Sequence, residues 1–201
     1  MARARLTFKR LSGLDRSGPP PPETLPGQPL RPWTIPNAIG FTRLALVPVF
    51  LVWALSTEDG TSAGPALLYA FIAWTDYADG IAARITGQYS KLGALLDPVV
   101  DRALVLAGII VVWHFETLPR WALAELAFRE VVTVLYGQWA LRHGIDLTVN
   151  WPGRAAVWPV LSAIFFALVG VEDLAEVLLY LGIILSIWAT VRYIREGSTS
   201  R

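Results

Sequence analysis

Four aspartates stand close together in stretches that are otherwise apolar: Asp76 and Asp79 near Phe71-Ile-Ala-Trp-Thr, and Asp97 and Asp101 beside Gly93-Ala-Leu-Leu. Carboxylates inside a membrane are expensive, about 2.5–3.5 kcal/mol each near the bilayer centre, and so mark functional sites. Asp76, Asp79, Gly80 and Ala83 follow i, i+3, i+4, i+7 spacing and share one helix face. Gly93, Asp97 and Asp101 share another, at i, i+4, i+8. Gathered at one level, four carboxylates repel and need neutralising. Arg84 and Arg102 supply part of that charge. Two divalent cations supply all of it and leave room for substrate phosphates. The chain has no cysteine and only two histidines, His114 and His143, both in links. The ligands are therefore oxygens, which suits Mg2+, Mn2+ or Ca2+ rather than zinc or copper. The small residues Gly80, Ala83 and Gly93 have two readings: close helix packing, or space for a nucleotide against the backbone.

The elements that position these residues read as membrane helices. The chain is 54% hydrophobic, against about 45–50% for a soluble domain. Six apolar segments are expected, at 37–56, 62–84, 92–113, 119–141, 154–171 and 174–193. Each approaches the ~20 residues that cross a bilayer core. The fold class is thus all-α integral membrane, six transmembrane helices with a cytoplasm-facing polar site. Pro36 and Asn37 give the first helix an entry signal. Residues 1–32 form a basic, proline-rich tail read as disordered, residues 33–195 the helical domain, and residues 196–201 a short C-terminal tail.

Charge sets the orientation. With the N-terminus cytoplasmic, thirteen of the seventeen Lys and Arg residues lie on that side and only Arg120 lies outside. Both termini are then cytoplasmic, in a multi-pass protein of the cytoplasmic (inner) membrane. Both aspartate pairs sit roughly 6–13 Å inside that surface, at 1.5 Å per helical residue. Net charge is +1, so nothing in bulk electrostatics favours nucleic acid. Trp33, Trp53, Trp113, Trp121 and Trp151 fall near proposed helix ends, as an interfacial belt would.

Written out, the stretch is Asp76-x2-Asp79-Gly80-x2-Ala83-Arg84-x8-Gly93-x3-Asp97-x3-Asp101. It resembles the full signature of the CDP-alcohol phosphotransferases, class I phosphatidyltransferases, and the likeness covers about residues 33–195. The resemblance implies a reaction: CDP-diacylglycerol is attacked at its lipid-side phosphate by an alcohol, and CMP leaves. It implies that Asp76, Asp79, Asp97 and Asp101 bind metal, with Asp101 also the general base, and that Asp79, Gly80, Ala83, Arg84 and Gly93 line the CDP site. A homodimer is the assembly it implies.

The start Thr34-Ile-Pro36-Asn37-x5-Arg43-Leu-x3-Pro48 and the pair Arg129-Glu130 are similar to bacterial phosphatidylglycerophosphate synthases, whose acceptor is glycerol 3-phosphate. Gly40 stands where those enzymes commonly have Thr. Asp101-Arg102 also resembles cardiolipin synthases of the superfamily, which use phosphatidylglycerol. Arg43, Arg102, Arg129 and Arg154 are the expected acceptor ligands, since two such cations beside the metals would hold a phosphorylated acceptor. A reading from another class makes the aspartates a cation pathway. That reading needs polar residues through the outer half of the bundle, where Pro65 to Ile72 is apolar.

Overall fold

The computed structural model describes residues 31–142 and 151–199. The N-terminal tail therefore lies outside the described residues except for Arg31 and Pro32, as do His143 and the last two residues. Among the described residues the fold is all-helical, with six helices: α1 Ile35–Leu55, α2 Ala63–Thr86, α3 Lys91–His114, α4 Arg120–Arg142, α5 Trp151–Leu168 and α6 Glu172–Thr199. These meet the expected segments closely. The largest difference is at α6, which continues to Thr199 rather than stopping at Tyr193. Hydropathy falls at Arg192, but a helix does not end where its apolar stretch does.

Among the described residues, only α1 is long and apolar enough to cross a membrane by length and composition alone, with a mean hydropathy of 2.0. The helices that carry the aspartates lose apolar character to those same residues: α2 holds Asp76, Asp79 and Arg84, and α3 holds Asp97, Asp101 and Arg102.

The chain forms two compact units. The first comprises residues up to Val49 together with Ala70–Leu104. It holds the N-terminal part of α1, the C-terminal part of α2 and the N-terminal part of α3. Ile72, Val100 and Leu104 are buried there, and so is Arg43. Helix ends in this unit are closed by side chains. Thr34 Oγ1 accepts the Asn37 N–H at 3.3 Å, and Ser90 Oγ accepts the Gly93 N–H at 2.9 Å, each an N-cap on its helix. The first N–H of α1, on Ile35, is taken by Gln88 Oε1 at 3.0 Å. Gly87 follows the last residue of α2 with φ +65° and open space around its Cβ position. Its backbone conformation, not crowding, calls for glycine as a C-terminal cap.

The second unit comprises Phe50–Tyr69 and Val105–Arg201. Its core is rich in small residues: Ala66, Ala122, Ala163, Ala167 and Ala175 are fully buried. Small side chains let helix backbones approach closely. A Cβ on Gly108 of α3 would lie 2.7 Å from Ile164 Cγ2 of α5. Phe50 and Tyr69 pack with ring centroids 5.1 Å apart, and the Ser62 N–H donates to the Leu168 carbonyl at 2.9 Å.

Candidate active site

The site lies within the first unit and is organised around one side chain. Arg43 of α1 is 99% excluded from solvent, and its guanidinium faces α2 and α3. Its Nη1 donates to Asp76 Oδ1 at 3.0 Å and to Asp79 Oδ2 at 3.1 Å. Its Nη2 donates to Asp101 Oδ1 at 3.0 Å. Its Nε donates to the Ile72 carbonyl at 3.2 Å. Three of the four aspartates are thus joined through one cation, across two helices. Asp76 and Asp79 are one turn apart on α2 and Asp101 lies on α3, so the guanidinium joins the two helix faces.

The carboxylates differ in exposure. The Asp79 side chain is 8% exposed, while Asp76 and Asp101 are 45% and 48% exposed. Each of the three commits one oxygen to Arg43, so Asp76 Oδ2, Asp79 Oδ1 and Asp101 Oδ2 remain outside that network. Among the described residues no three acidic or histidine side chains are already gathered as a metal cage; a guanidinium stands between them instead. The donor set still fits a hard divalent cation. It is all oxygen, with uncommitted carboxylate oxygens and two half-exposed side chains through which an ion could enter.

The other expected residues fall as follows. Arg84 folds back over Gly80, with Nη2 3.3 Å from the position a Cβ would take there. Its Nε is shielded from solvent and has no acceptor, an unsatisfied donor beside the carboxylates' own helix face. Gly93 is closely approached: a Cβ would lie 2.7 Å from Asn37 Oδ1 and 3.2 Å from Ser90 Oγ. Of its two readings, the structure supplies a packing reason. Arg102 donates to the Pro98 carbonyl at 3.2 Å, one turn back along α3. Arg129 lies in the second unit, where it pairs with Glu130 and donates to Ser186 Oγ. Arg154 lies in α5, and its side chain is outside the described residues. Arg43, named for the acceptor, lies against Asp76, Asp79 and Asp101 as their ion-pair partner.

Two residues belong to the site that the sequence reading assigned no role in it. Asn37 is buried, and its Nδ2 donates to the carbonyls of Arg31 and Pro32 at 3.0 and 3.1 Å. Its Oδ1 accepts from Ser90 Oγ at 2.8 Å. The N-terminus of α1 is thereby tied to the N-cap of α3, the helix that carries Asp97 and Asp101. The available signal was the Ser90-x2-Gly93 spacing of a capped helix start; nothing in the sequence pairs Ser90 with Asn37.

A helical protein whose polar centre is a carboxylate cluster bridged by one arginine is the class this geometry defines. The profile of the CDP-alcohol phosphatidyltransferases matches residues 33–188. The chain belongs to the CDP-alcohol phosphatidyltransferase family and is an enzyme of phosphatidyl transfer. It is 40% identical over 134 residues to a cardiolipin synthase (CMP-forming) of Streptomyces coelicolor, covering 65% of this chain but only 62% of that protein. It is 28% identical over 176 residues to a CDP-diacylglycerol--glycerol-3-phosphate 3-phosphatidyltransferase of Pectobacterium atrosepticum, covering 82% of this chain and 95% of that protein. A putative cardiolipin synthase of Mycobacterium bovis is 34% identical over 164 residues, covering 80% of this chain and 78% of that protein.

Proposed function

We propose that this chain transfers the phosphatidyl group of CDP-diacylglycerol to glycerol 3-phosphate with release of CMP. The observation that carries the reading is the union of Asp76, Asp79 and Asp101 at one buried guanidinium, within the full family signature. Two ions, Mg2+ or Mn2+, held by Asp76, Asp79, Asp97 and Asp101, would neutralise the pyrophosphate and the charge developing on departing CMP. The chain's own residues do the rest. Arg84, with its unsatisfied Nε beside Gly80, receives the anionic nucleotide, and Gly80 and Ala83 keep the α2 face clear for it. Asp101 is half exposed and keeps Oδ2 outside the Arg43 network. That oxygen takes the acceptor's hydroxyl proton as the new phosphorus–oxygen bond forms and the bond to CMP breaks.

The setting we propose is the cytoplasmic membrane, with six spans, both termini cytoplasmic and the aspartates near that face. Supporting it are the lopsided distribution of Lys and Arg, the apolar length of α1, and exposed apolar stripes on other helices. Leu67, Phe71 and Trp74 of α2 are exposed, as are Val177, Leu181, Ile184 and Trp188 of α6. They recur every three or four residues, so each helix turns a continuous apolar face outward. Such a face suits lipid, and a diacyl tail held there can present its nucleotide to the cytoplasm.

Glycerol 3-phosphate is placed first because the relatives named for it align along nearly their whole length. Phosphatidylglycerol is a second reading, favoured by the higher identity to cardiolipin synthases and by Asp101-Arg102. Both acceptors offer a primary hydroxyl of a glycerol that also carries phosphate. Purified protein given CDP-diacylglycerol with each of glycerol 3-phosphate, phosphatidylglycerol, inositol phosphate and serine decides between them. Phosphatidylglycerophosphate is the expected product. Cardiolipin in its place transfers the assignment to the second reading, and absence of CMP with every acceptor contradicts both.

A further inference from the structure

We infer that Arg43 is a positioning residue, a resident counter-ion that assembles the aspartates before any metal arrives and determines which oxygens are left to bind it. The inference rests on the reading of those aspartates as metal ligands, and deepens it. Arginine has five N–H groups, and four are committed here, one to the Ile72 carbonyl and three to carboxylates. The contact with Ile72 anchors the guanidinium to the backbone of α2, at a carbonyl that also accepts from Thr75 Oγ1 at 2.8 Å. The Arg43 side chain is itself only 2% exposed. It therefore holds Asp76 Oδ1, Asp79 Oδ2 and Asp101 Oδ1 inward and leaves the opposite oxygen of each, with Asp97, to face an ion.

The charge balance supports the same role. Asp76, Asp79 and Asp101 share one guanidinium. It cannot neutralise them all, so the site keeps its attraction for divalent ions. It does lower the repulsion between Asp76 and Asp79 of α2 and Asp101 of α3. A lysine would retain the charge but lack the planar fork that reaches three carboxylates and a carbonyl at once.

The test measures thermal unfolding of the purified, detergent-solubilised protein in EDTA and in saturating Mg2+, with Mn2+ binding followed by electron paramagnetic resonance. Wild type is expected to lose only a few degrees in EDTA. Arg43→Met should lose about 5–10 °C more, because a partly buried charge cluster is left uncompensated. Adding Asp101→Asn to that variant removes one repelling carboxylate and should recover part of the loss, a non-additive result. Arg43→Lys should bind Mn2+ roughly ten-fold more weakly, since the carboxylates are no longer held by a fork. An Arg43→Met variant with the wild-type gap between EDTA and Mg2+ overturns the inference. If that variant does not fold, unchanged Mn2+ affinity in Arg43→Lys overturns it. If wild type itself responds to neither ion, the metal reading of the aspartates fails instead. The stability of Arg43→Met and its recovery by Asp101→Asn, both in EDTA, then still decide the counter-ion role.

Discussion

The chemistry of this chain is concentrated in a few side chains, and their types were more legible than their pairings. Asp76, Asp79, Asp97 and Asp101 are conspicuous because charge is costly in apolar helices. Their convergence follows from helical spacing. Arg43 reads from the sequence as an acceptor ligand. That it pairs with carboxylates 33, 36 and 58 residues away is a tertiary fact, which no spacing rule within one helix reveals. At this scale Arg84 gives a sharp prediction. Its Nε lacks an acceptor, so removing it costs little within the protein and much for an anionic substrate. Arg84→Ala should lower kcat/KM for CDP-diacylglycerol about 10–100-fold, or about 1.4–2.7 kcal/mol, the worth of a charged hydrogen bond. Its thermal midpoint should stay near that of wild type. Steady-state kinetics with varied CDP-diacylglycerol checks it.

Helix extents were readable from hydropathy because each apolar run is bounded by turn-forming or charged residues, such as Glu58-Asp59-Gly60 and Gly87-Gln88. Asp59 in the first of these links accepts the Thr61 N–H at 2.9 Å, and hydrogen bonding from Thr61, through its side chain first and its backbone N–H second, holds the Asp59 carboxyl below the usual range. What hydropathy could not show is how helix ends are tied together. Ser90 caps α3 and also donates to Asn37, so Ser90→Ala removes a cap and leaves Asn37 Oδ1 without that donor. A loss of about 0.5–2 kcal/mol is expected from the cap alone. Gly93→Ala is a different fault. The added methyl would meet Asn37 Oδ1 at 2.7 Å, and Asn37 is fixed by hydrogen bonds to Arg31, Pro32 and Ser90. With no freedom to yield, overpacking should cost roughly 1–3 kcal/mol. Thermal unfolding of the two variants beside wild type measures both, and a Gly93→Ala protein as stable as wild type would refute the crowding argument.

At the scale of the whole molecule, the membrane reading depends on charge asymmetry and exposed apolar stripes rather than on helix length alone. Length and composition single out only α1 among the described residues, and in α2 and α3 the aspartates lower the apolar character. The absence of native cysteine makes topology directly measurable. Single cysteines placed in the N-terminal tail and in the Gly87–Tyr89 link should resist an impermeant thiol reagent in intact cells and react after lysis. One placed at Glu58 should react in intact cells. Phosphatidyl transfer at the aspartate cluster is open to a direct assay. CMP release from CDP-diacylglycerol, with glycerol 3-phosphate and Mg2+ supplied, is compared between wild type and Asp101→Asn, a variant in which Arg43 keeps Asp76 and Asp79. Wild type should release CMP, and the variant should do so about 10²–10⁴-fold more slowly at a similar thermal midpoint. Release of CMP by Asp101→Asn at the wild-type rate would show that Asp101 does not take the acceptor proton.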